Sequence, residues 1–333
     1  MQYTNLGHTD IKTSTLVLGT WVIGGSDWGG SDESESIEAI HASIDQGINF
    51  IDTAPIYGTG ESERVVGKAI AGKRDQLVIA SKVGLRWDHE EGEFNFEAED
   101  GTKIYKNLKA DSIRHEVEQS LKRLGTDYID LLQTHWPDAT TGIDETMETL
   151  LALKKEGKVR AIGACNLTTD LLQQYLDAGP LDTIQEKYSM VDRELEADLF
   201  PMANAQGMSI LAYSPLGMGL LTGKVGPERK FGADDIRSWS PRFTVECRQQ
   251  VAALLEQFEP IRAKYEVSLA QLVIAWTVHQ PVISHVLCGA RNLKQAEENA
   301  IGGNLEISTE DVSAMTAILE AANLQLPHPF KGD

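Results

Sequence analysis

Cysteine is scarce in this chain: Cys165, Cys247 and Cys288 are the only three among 333 residues. An odd, sparse set supplies no disulfide framework and fits a reducing compartment. No apolar run reaches the roughly 18 residues a membrane span needs. Residues from Met1 onward lack the basic-then-apolar layout of a secretory leader. The expected location is therefore the cytoplasm, with no membrane partner. Basic residues are also short: 30 Lys plus Arg stand against 50 Asp plus Glu, a formal charge of −20. That balance argues against a surface built for nucleic acid or anionic lipid. Several chemical signatures are absent too. There is no G-x-G-x-x-G after the first strand, no G-x-S-x-G elbow, and no H-E-x-x-H or Cys/His metal spacing, so no metal is expected.

What is present is an ordinary globular composition, 41% hydrophobic and 24% charged, with a regular rhythm. Short apolar runs read as strands at Leu16–Leu18, Ile48–Ile51, Leu77–Ala80, Tyr128–Gln133, Val159–Gly163, Thr183–Gln185, Ser209–Ala212 and His285–Cys288. Between most of them lie apolar residues at helical spacing, such as Ile37, Ile40 and Ile44, or Ile113, Val117, Leu121 and Leu124. Glycines follow these patterns at Gly47, Gly125 and Gly157, where helices stop. Eight strands alternating with helices predict an α/β fold, a (β/α)8 TIM barrel.

Three segments interrupt the repeat. Residues 2–13 read as a β-hairpin before the first barrel strand. Residues 85–106 read as an acidic surface loop, and 215–242 as a long loop with a basic patch. The latter two follow strands three and seven, which puts long loops at the C-terminal face. No linker divides the chain, so 1–333 reads as one domain.

Barrel active sites gather at the C-terminal ends of the strands. The polar residues there are Asp52 after strand two, Lys82 after three, His135 after four, Asn166 after five, Gln185 in six, and Tyr213 and Ser214 after seven. Tyr57 lies in the loop after strand two. Singly, each has an ordinary explanation: an Asp caps a turn, a Lys faces water, a His packs. Asp, Lys and His ending three successive strands is harder to ascribe to chance. A Lys at a strand end can form a Schiff base, but an adjacent Asp would hold its ammonium charged. A charged Lys beside a Tyr instead lowers the phenol pKa from about 10 toward neutrality. That makes a proton donor for carbonyl reduction, with His135 orienting the carbonyl. Trp21, Trp87 and Trp136 follow strands one, three and four and supply aromatic walls, although Trp87 reads better as packing under its loop. Arg86 in the insertion reads as a single exposed cation, weak support by itself for an anionic substrate.

The motifs resemble the aldo-keto reductase superfamily. Asp52-Thr53-Ala54-Pro55-Ile56-Tyr57-Gly58 with Gly60-Glu61-Ser62-Glu63, Ala80-Ser81-Lys82, Asp127 to Trp136, Lys158 to Gly163, and Ala212 to Gly217 all match its patterns. The likeness runs from about residue 2 to 325 and is greatest to the bacterial general-stress and inositol-operon branches.

The resemblance implies a carbonyl reductase acting on an aldehyde, ketone or sugar. Tyr57 would be the general acid, Lys82 would tune it, Asp52 would hold Lys82, and His135 would place the substrate beside Trp21 and Trp136. Asn166 and Gln185 would bind a nicotinamide carboxamide, and Tyr213 would stack on its ring. Thr20 and Trp21 would lie near the ribose, with Ser214, Leu216 and Gly217 over the pyrophosphate. Gly289, Arg291, Gln295, Glu298 and Asn299 would hold the adenosine end. Arg291 facing a 2′-phosphate favours NADP(H), with NAD(H) as the second cofactor. Two positions depart from the family pattern: Cys165 replaces the usual Ser, and Gln295 stands where related enzymes often carry Arg. The superfamily also contains nucleotide-sensing regulatory subunits without significant turnover, which form the alternative reading. Nothing in the sequence chooses between monomer and homo-oligomer.

Overall fold

The computed structural model describes residues 1–98 and 100–330. An antiparallel hairpin, β1 (Tyr3–Asn5) and β2 (Lys12–Ser14), precedes the barrel. The chain then runs β3 (Leu16–Gly19), α1 (Glu33–Asp45), β4 (Phe50–Asp52), α2 (Glu61–Ala69) and β5 (Val78–Val83). An excursion follows, β6 (Leu85–Arg86), β7 (Glu93–Glu97) and β8 (Lys103–Lys106). The repeat resumes with α3 (Ala110–Leu124), β9 (Ile129–Thr134), α4 (Ile143–Lys155), β10 (Val159–Cys165), α5 (Thr169–Ala178), β11 (Thr183–Lys187), α6 (Leu199–Ala205) and β12 (Ser209–Tyr213). It ends with α7 (Val245–Glu256), α8 (Glu259–Tyr265), α9 (Leu269–Val278), β13 (His285–Gly289), α10 (Leu293–Asn304) and α11 (Thr309–Ala322). Strands β3-β4-β5-β9-β10-β11-β12-β13 close on themselves, each parallel to its neighbours. This is the expected (β/α)8 barrel with its N-terminal hairpin.

Side chains alternate across each strand, so two cores form. Outward residues such as Leu16, Leu18, Ile79, Leu132 and Ile210 pack under the helices. Inward residues Val17, Phe50, Val78, Ala80, Leu131, Ala161, Leu211 and Leu287 fill the barrel, and Leu6 and Ile11 of the hairpin loop join them. The hairpin thus plugs the N-terminal end. Its turn needs Gly7, at φ 53, because a Cβ there would lie 2.1 Å from the Asp182 carbonyl oxygen.

His285 is inward, fully buried, and bonded through Nε2 to the Thr13 hydroxyl at 2.7 Å, while Nδ1 has no partner among the described residues. Burial lowers its pKa to about 3. The folded protein therefore resists protonating a group that the unfolded chain protonates near pH 6.5. Stability is full above 6.5 and falls as pH drops toward 3, by up to about 1.4 kcal/mol per pH unit. Urea unfolding at pH 7 and pH 5 will show that loss, and His285→Asn will flatten it.

Residues 85–106 are not the open loop expected. β6, β8 and β7 form a three-stranded antiparallel sheet. The acidic groups are mostly matched: Asp88 pairs with Arg86, Glu90 with Lys103, Glu91 with Lys109 and Glu93 with Lys106. Glu99, in the same stretch, lies outside the described residues. Arg86 is buried rather than exposed, forked on Asp88 at 2.7 Å and bonded to the Ser112 hydroxyl. It is not available to an anionic substrate. Among the described residues no helix is long and apolar enough to cross a membrane.

Candidate active site

Strand parity decides which polar residues meet. Asp52 shares the inward face with Phe50, Lys82 with Ala80, and Gln133 with Leu131. All three therefore point into the barrel at its C-terminal end. Lys82, about 1% exposed, donates to Asp52 Oδ1 at 2.6 Å and to the Thr53 carbonyl at 3.1 Å. Its Nζ lies 3.3 Å from the Tyr57 hydroxyl. The other Asp52 oxygen accepts from Gln185 Nε2 at 2.9 Å, with Gln133 Nε2 at 3.5 Å. Sequence reading missed Gln133, although its place two residues before His135, on the same strand face, was a usable signal. The inward fit of Gln133 and Thr183 depends on Gly163, since a Cβ there would meet the Thr183 hydroxyl at 2.1 Å.

The Tyr57 ring meets the His135 ring edge-on, centroids 5.7 Å apart, and stacks against Trp21 at 6.4 Å. No side chain among the described residues hydrogen-bonds the His135 ring. Burial, then Lys82, holds its pKa well below 6.5, so the imidazole is neutral and able to donate. Burial opposes the charge of Lys82, but the Asp52 carboxylate beside it outweighs that burial and Lys82 stays charged. The expectation for Tyr57 needs correction. Burial outweighs the pull of Lys82, and its pKa is pushed up to about 12 instead of falling toward neutrality. The phenol is therefore held protonated, and Lys82 limits the rise without reversing it.

Asn166 adopts φ 59 at the end of β10. Its amide nitrogen donates to the His135 carbonyl at 2.9 Å, and its amide oxygen accepts from the Tyr213 hydroxyl at 2.8 Å. Cys165 is buried, and burial keeps its thiol protonated. Thr20 is fully buried: its hydroxyl donates to the Asp52 carbonyl at 2.9 Å and accepts from Ser62. It braces Asp52 from behind.

Trp21, Lys187, Tyr213, Ser214, Gly217 and Phe330 lie on one narrow cavity. A neighbouring cleft of about 280 Å³ is lined by Trp136, Asn166, Glu186, Lys187, Tyr213 and His328, among others. The C-terminal tail was not anticipated here. It is tied down by Ser240 and Arg242, which donate to the Pro329 and Pro327 carbonyls, contacts that no local sequence pattern announces. Ser214 and Met218 have positive φ, as do the more permissive Gly217 and Gly219, and the strain at the two non-glycine residues is of the kind found in ligand-holding segments.

At the start of α10, Asn292 caps Gln295 N, and Gln295 Oε1 accepts from Arg291 N at 2.9 Å. Asn299 anchors the Gly289 carbonyl. Glu298 is engaged by Lys224 and Ser268. The half-buried Arg291 donates to the Trp28 carbonyl at 2.7 Å and lies over that indole, 5.5 Å from its centroid. Among the described residues it has no carboxylate within ion-pair distance; Asp235 pairs with Arg237 instead. Burial, then Arg237, lowers its pKa, with Asp235 working in the opposite direction.

These features match a known set of proteins. A sequence profile described as the Aldo/keto reductase family matches residues 15–320. Aldo-keto reductase YhdN of Bacillus subtilis is 40% identical over 323 residues, covering 96% of this chain and 94% of that protein. An NADH-specific methylglyoxal reductase of Escherichia coli is 41% identical over 322 residues, covering 95% and 98%. The structure of a glycerol dehydrogenase from Gluconobacter oxydans superposes with a TM-score of 0.87 at 35% identity, covering 98% of each chain. The chain belongs to the aldo-keto reductase family, barrel oxidoreductases of carbonyl compounds that use nicotinamide cofactors.

The residues present fit such a cofactor. An amide at Asn166 and a flat Tyr213 ring suit a carboxamide-bearing heterocycle. The strained 214–219 segment and the N-terminus of α10, with its unpaired Arg291, suit phosphates.

Proposed function

We propose that this protein reduces the carbonyl of a small aldehyde, ketone or sugar, with Tyr57 as proton donor and NADP(H) favoured over NAD(H). The observation that carries the reading is the contact of the Lys82 ammonium with both Asp52, at 2.6 Å, and the Tyr57 hydroxyl, at 3.3 Å. A bound nicotinamide dinucleotide supplies the hydride. The protein's own residues do the rest. Asn166 and Tyr213 orient the ring, Trp21 and Trp136 confine the substrate, and neutral His135 donates a hydrogen bond to the carbonyl oxygen. As negative charge develops on that oxygen, the protonated Tyr57 gives up its proton and the Lys82 ammonium stabilises the resulting phenolate. Asp52, held by Gln185 and the Thr20-braced backbone, keeps Lys82 in place.

NADP(H) is favoured because Arg291, which among the described residues has no carboxylate within ion-pair distance, is able to fork onto a 2′-phosphate. A second reading, NAD(H), rests on Gln295, which carries no charge, and on the name of the Escherichia coli relative. Initial rates over a carbonyl panel, run side by side with NADPH and NADH, test both. Turnover with NADPH at lower KM supports the first. Arg291→Ala is expected to raise KM for NADPH roughly tenfold or more while changing KM for NADH little. An equal effect on both cofactors removes the 2′-phosphate role, and absence of turnover over the whole panel overturns the reductase reading in favour of a nucleotide-sensing subunit.

A further inference from the structure

Adjacent residues of β11 face opposite ways. Gln185 points inward and holds Asp52. Glu186 points outward, into the space behind the turn that follows β10, and is only 3% exposed. Its Oε1 accepts from the Leu167 backbone N–H at 2.9 Å. That turn is the one carrying Asn166 at φ 59, whose side chain bridges His135 and Tyr213. Asn adopts this conformation more readily than other non-glycine residues, so what the surroundings must fix is the direction in which its side chain is aimed. The Asn166 N–H also bonds the Gln185 carbonyl at 3.2 Å, so one dipeptide of β11 grips both the Lys82–Asp52 pair and the Asn166 turn.

We infer that Glu186 is a positioning residue: its carboxylate, by holding the Leu167 N–H, fixes the Asn166 turn and with it the grip on the nicotinamide carboxamide. The inference rests on the reading of Asn166 as a carboxamide ligand. Charge on Glu186 strengthens the hold, because a carboxylate accepts from N–H groups about twice as strongly as a neutral acid.

Burial pushes the Glu186 carboxyl up to about 8, against the pull of the Leu167 and Asn166 N–H groups. The titratable and charged groups around it are Cys165 on β10, Tyr213 on β12, Lys187 on its own strand, Glu194, and His328 of the tail. Cys165 and Tyr213 are both raised well above their ordinary values. Lys187 turns to Asp192 at 3.2 Å and to Glu194 at 3.9 Å. Tyr57, at about 12, and His135, well below 6.5, do not titrate between pH 7 and 9. Glu116 is the other buried carboxyl pushed up to about 8, and it holds the Gly84 N–H instead.

The test is cofactor binding, read by quenching of tryptophan fluorescence from pH 6.5 to 9.5, with kcat measured in parallel. Wild-type affinity for NADPH or NADH is expected to rise roughly fivefold through a midpoint near 8. Glu186→Gln keeps an acceptor for Leu167 but cannot ionise, so it should bind with a flat pH profile. Glu186→Ala should bind roughly tenfold more weakly at pH 9. Glu116→Gln should keep the wild-type profile. A midpoint that survives Glu186→Gln, disappears in Glu116→Gln, or is absent from the wild type overturns the inference and leaves the reductase reading intact. Absence of quenching by either cofactor in the wild type overturns the site reading and the inference together.

Discussion

Tyr57→Phe is expected to lower kcat for carbonyl reduction by about 10²–10⁴-fold while NADPH still quenches tryptophan fluorescence. The substitution removes one oxygen and leaves the ring, so its contacts with Trp21 and His135 survive. What is lost is the proton that must reach the carbonyl oxygen. Water replaces it poorly in a site walled by aromatic side chains. Burial holds the Tyr57 pKa at about 12, so in reduction the phenol is loaded at any pH from 6 to 10. In alcohol oxidation the same group must first lose its proton. Oxidation rates should therefore climb with pH over that interval where reduction rates do not. Turnover in Tyr57→Phe close to wild type would remove Tyr57 from the mechanism.

Lys82→Met carries the second large effect, on both activity and stability. Lys82 and Asp52 are about 1% and 3% exposed in their side chains and lie 2.6 Å apart. Removing the ammonium leaves the Asp52 carboxylate buried with only Gln185 and Gln133 as side-chain donors. Breaking a buried pair in this way costs about 3–5 kcal/mol. It also removes the charge that opposes the rise of the Tyr57 pKa, so turnover should fall by about two orders of magnitude or more. The double variant Asp52→Asn/Lys82→Met separates the two losses. It has no stranded charge and should recover most of the stability in a urea melt, yet none of the turnover. Recovery of both would mean that the pair serves the fold alone.

Much of this architecture was legible in the linear chain. All eight barrel strands lie within a few residues of their expected positions, because each is a short apolar run bounded by turn residues. The hairpin over residues 2–13 was legible from two short extended runs either side of Gly7-His8. Residues 85–106 were not. Their alternation at Glu93-Phe94-Asn95-Phe96-Glu97 is brief, and Phe94 and Phe96 remain exposed. Their sheet depends on pairing with Lys103–Lys106 and on ion pairs across the insertion. The burial of Arg86 is hidden in the linear chain for a related reason: a charged residue looks solvent-facing until its partner, Asp88, folds against it.

The sequence alone determined most of the polar groups at the barrel mouth. Strand alternation is a local property, and Asp52 and Lys82 could only face inward once their strands formed, whereas Gln133 joined them only in the folded barrel. It also determined the family, through contiguous motifs. Tertiary structure decided the electrostatic state of those groups. Lys82 by itself argues for an acidic tyrosine, but the burial of Tyr57 is a property of everything packed around it, and burial has the larger effect. Tertiary structure likewise decided that, among the described residues, Arg291 has no carboxylate within ion-pair distance, that Phe330 of the tail lies beside Trp21, and that Glu186 holds the turn of Asn166. Each depends on residues distant in the chain brought within a few ångströms, where low local dielectric makes short-range interactions strong.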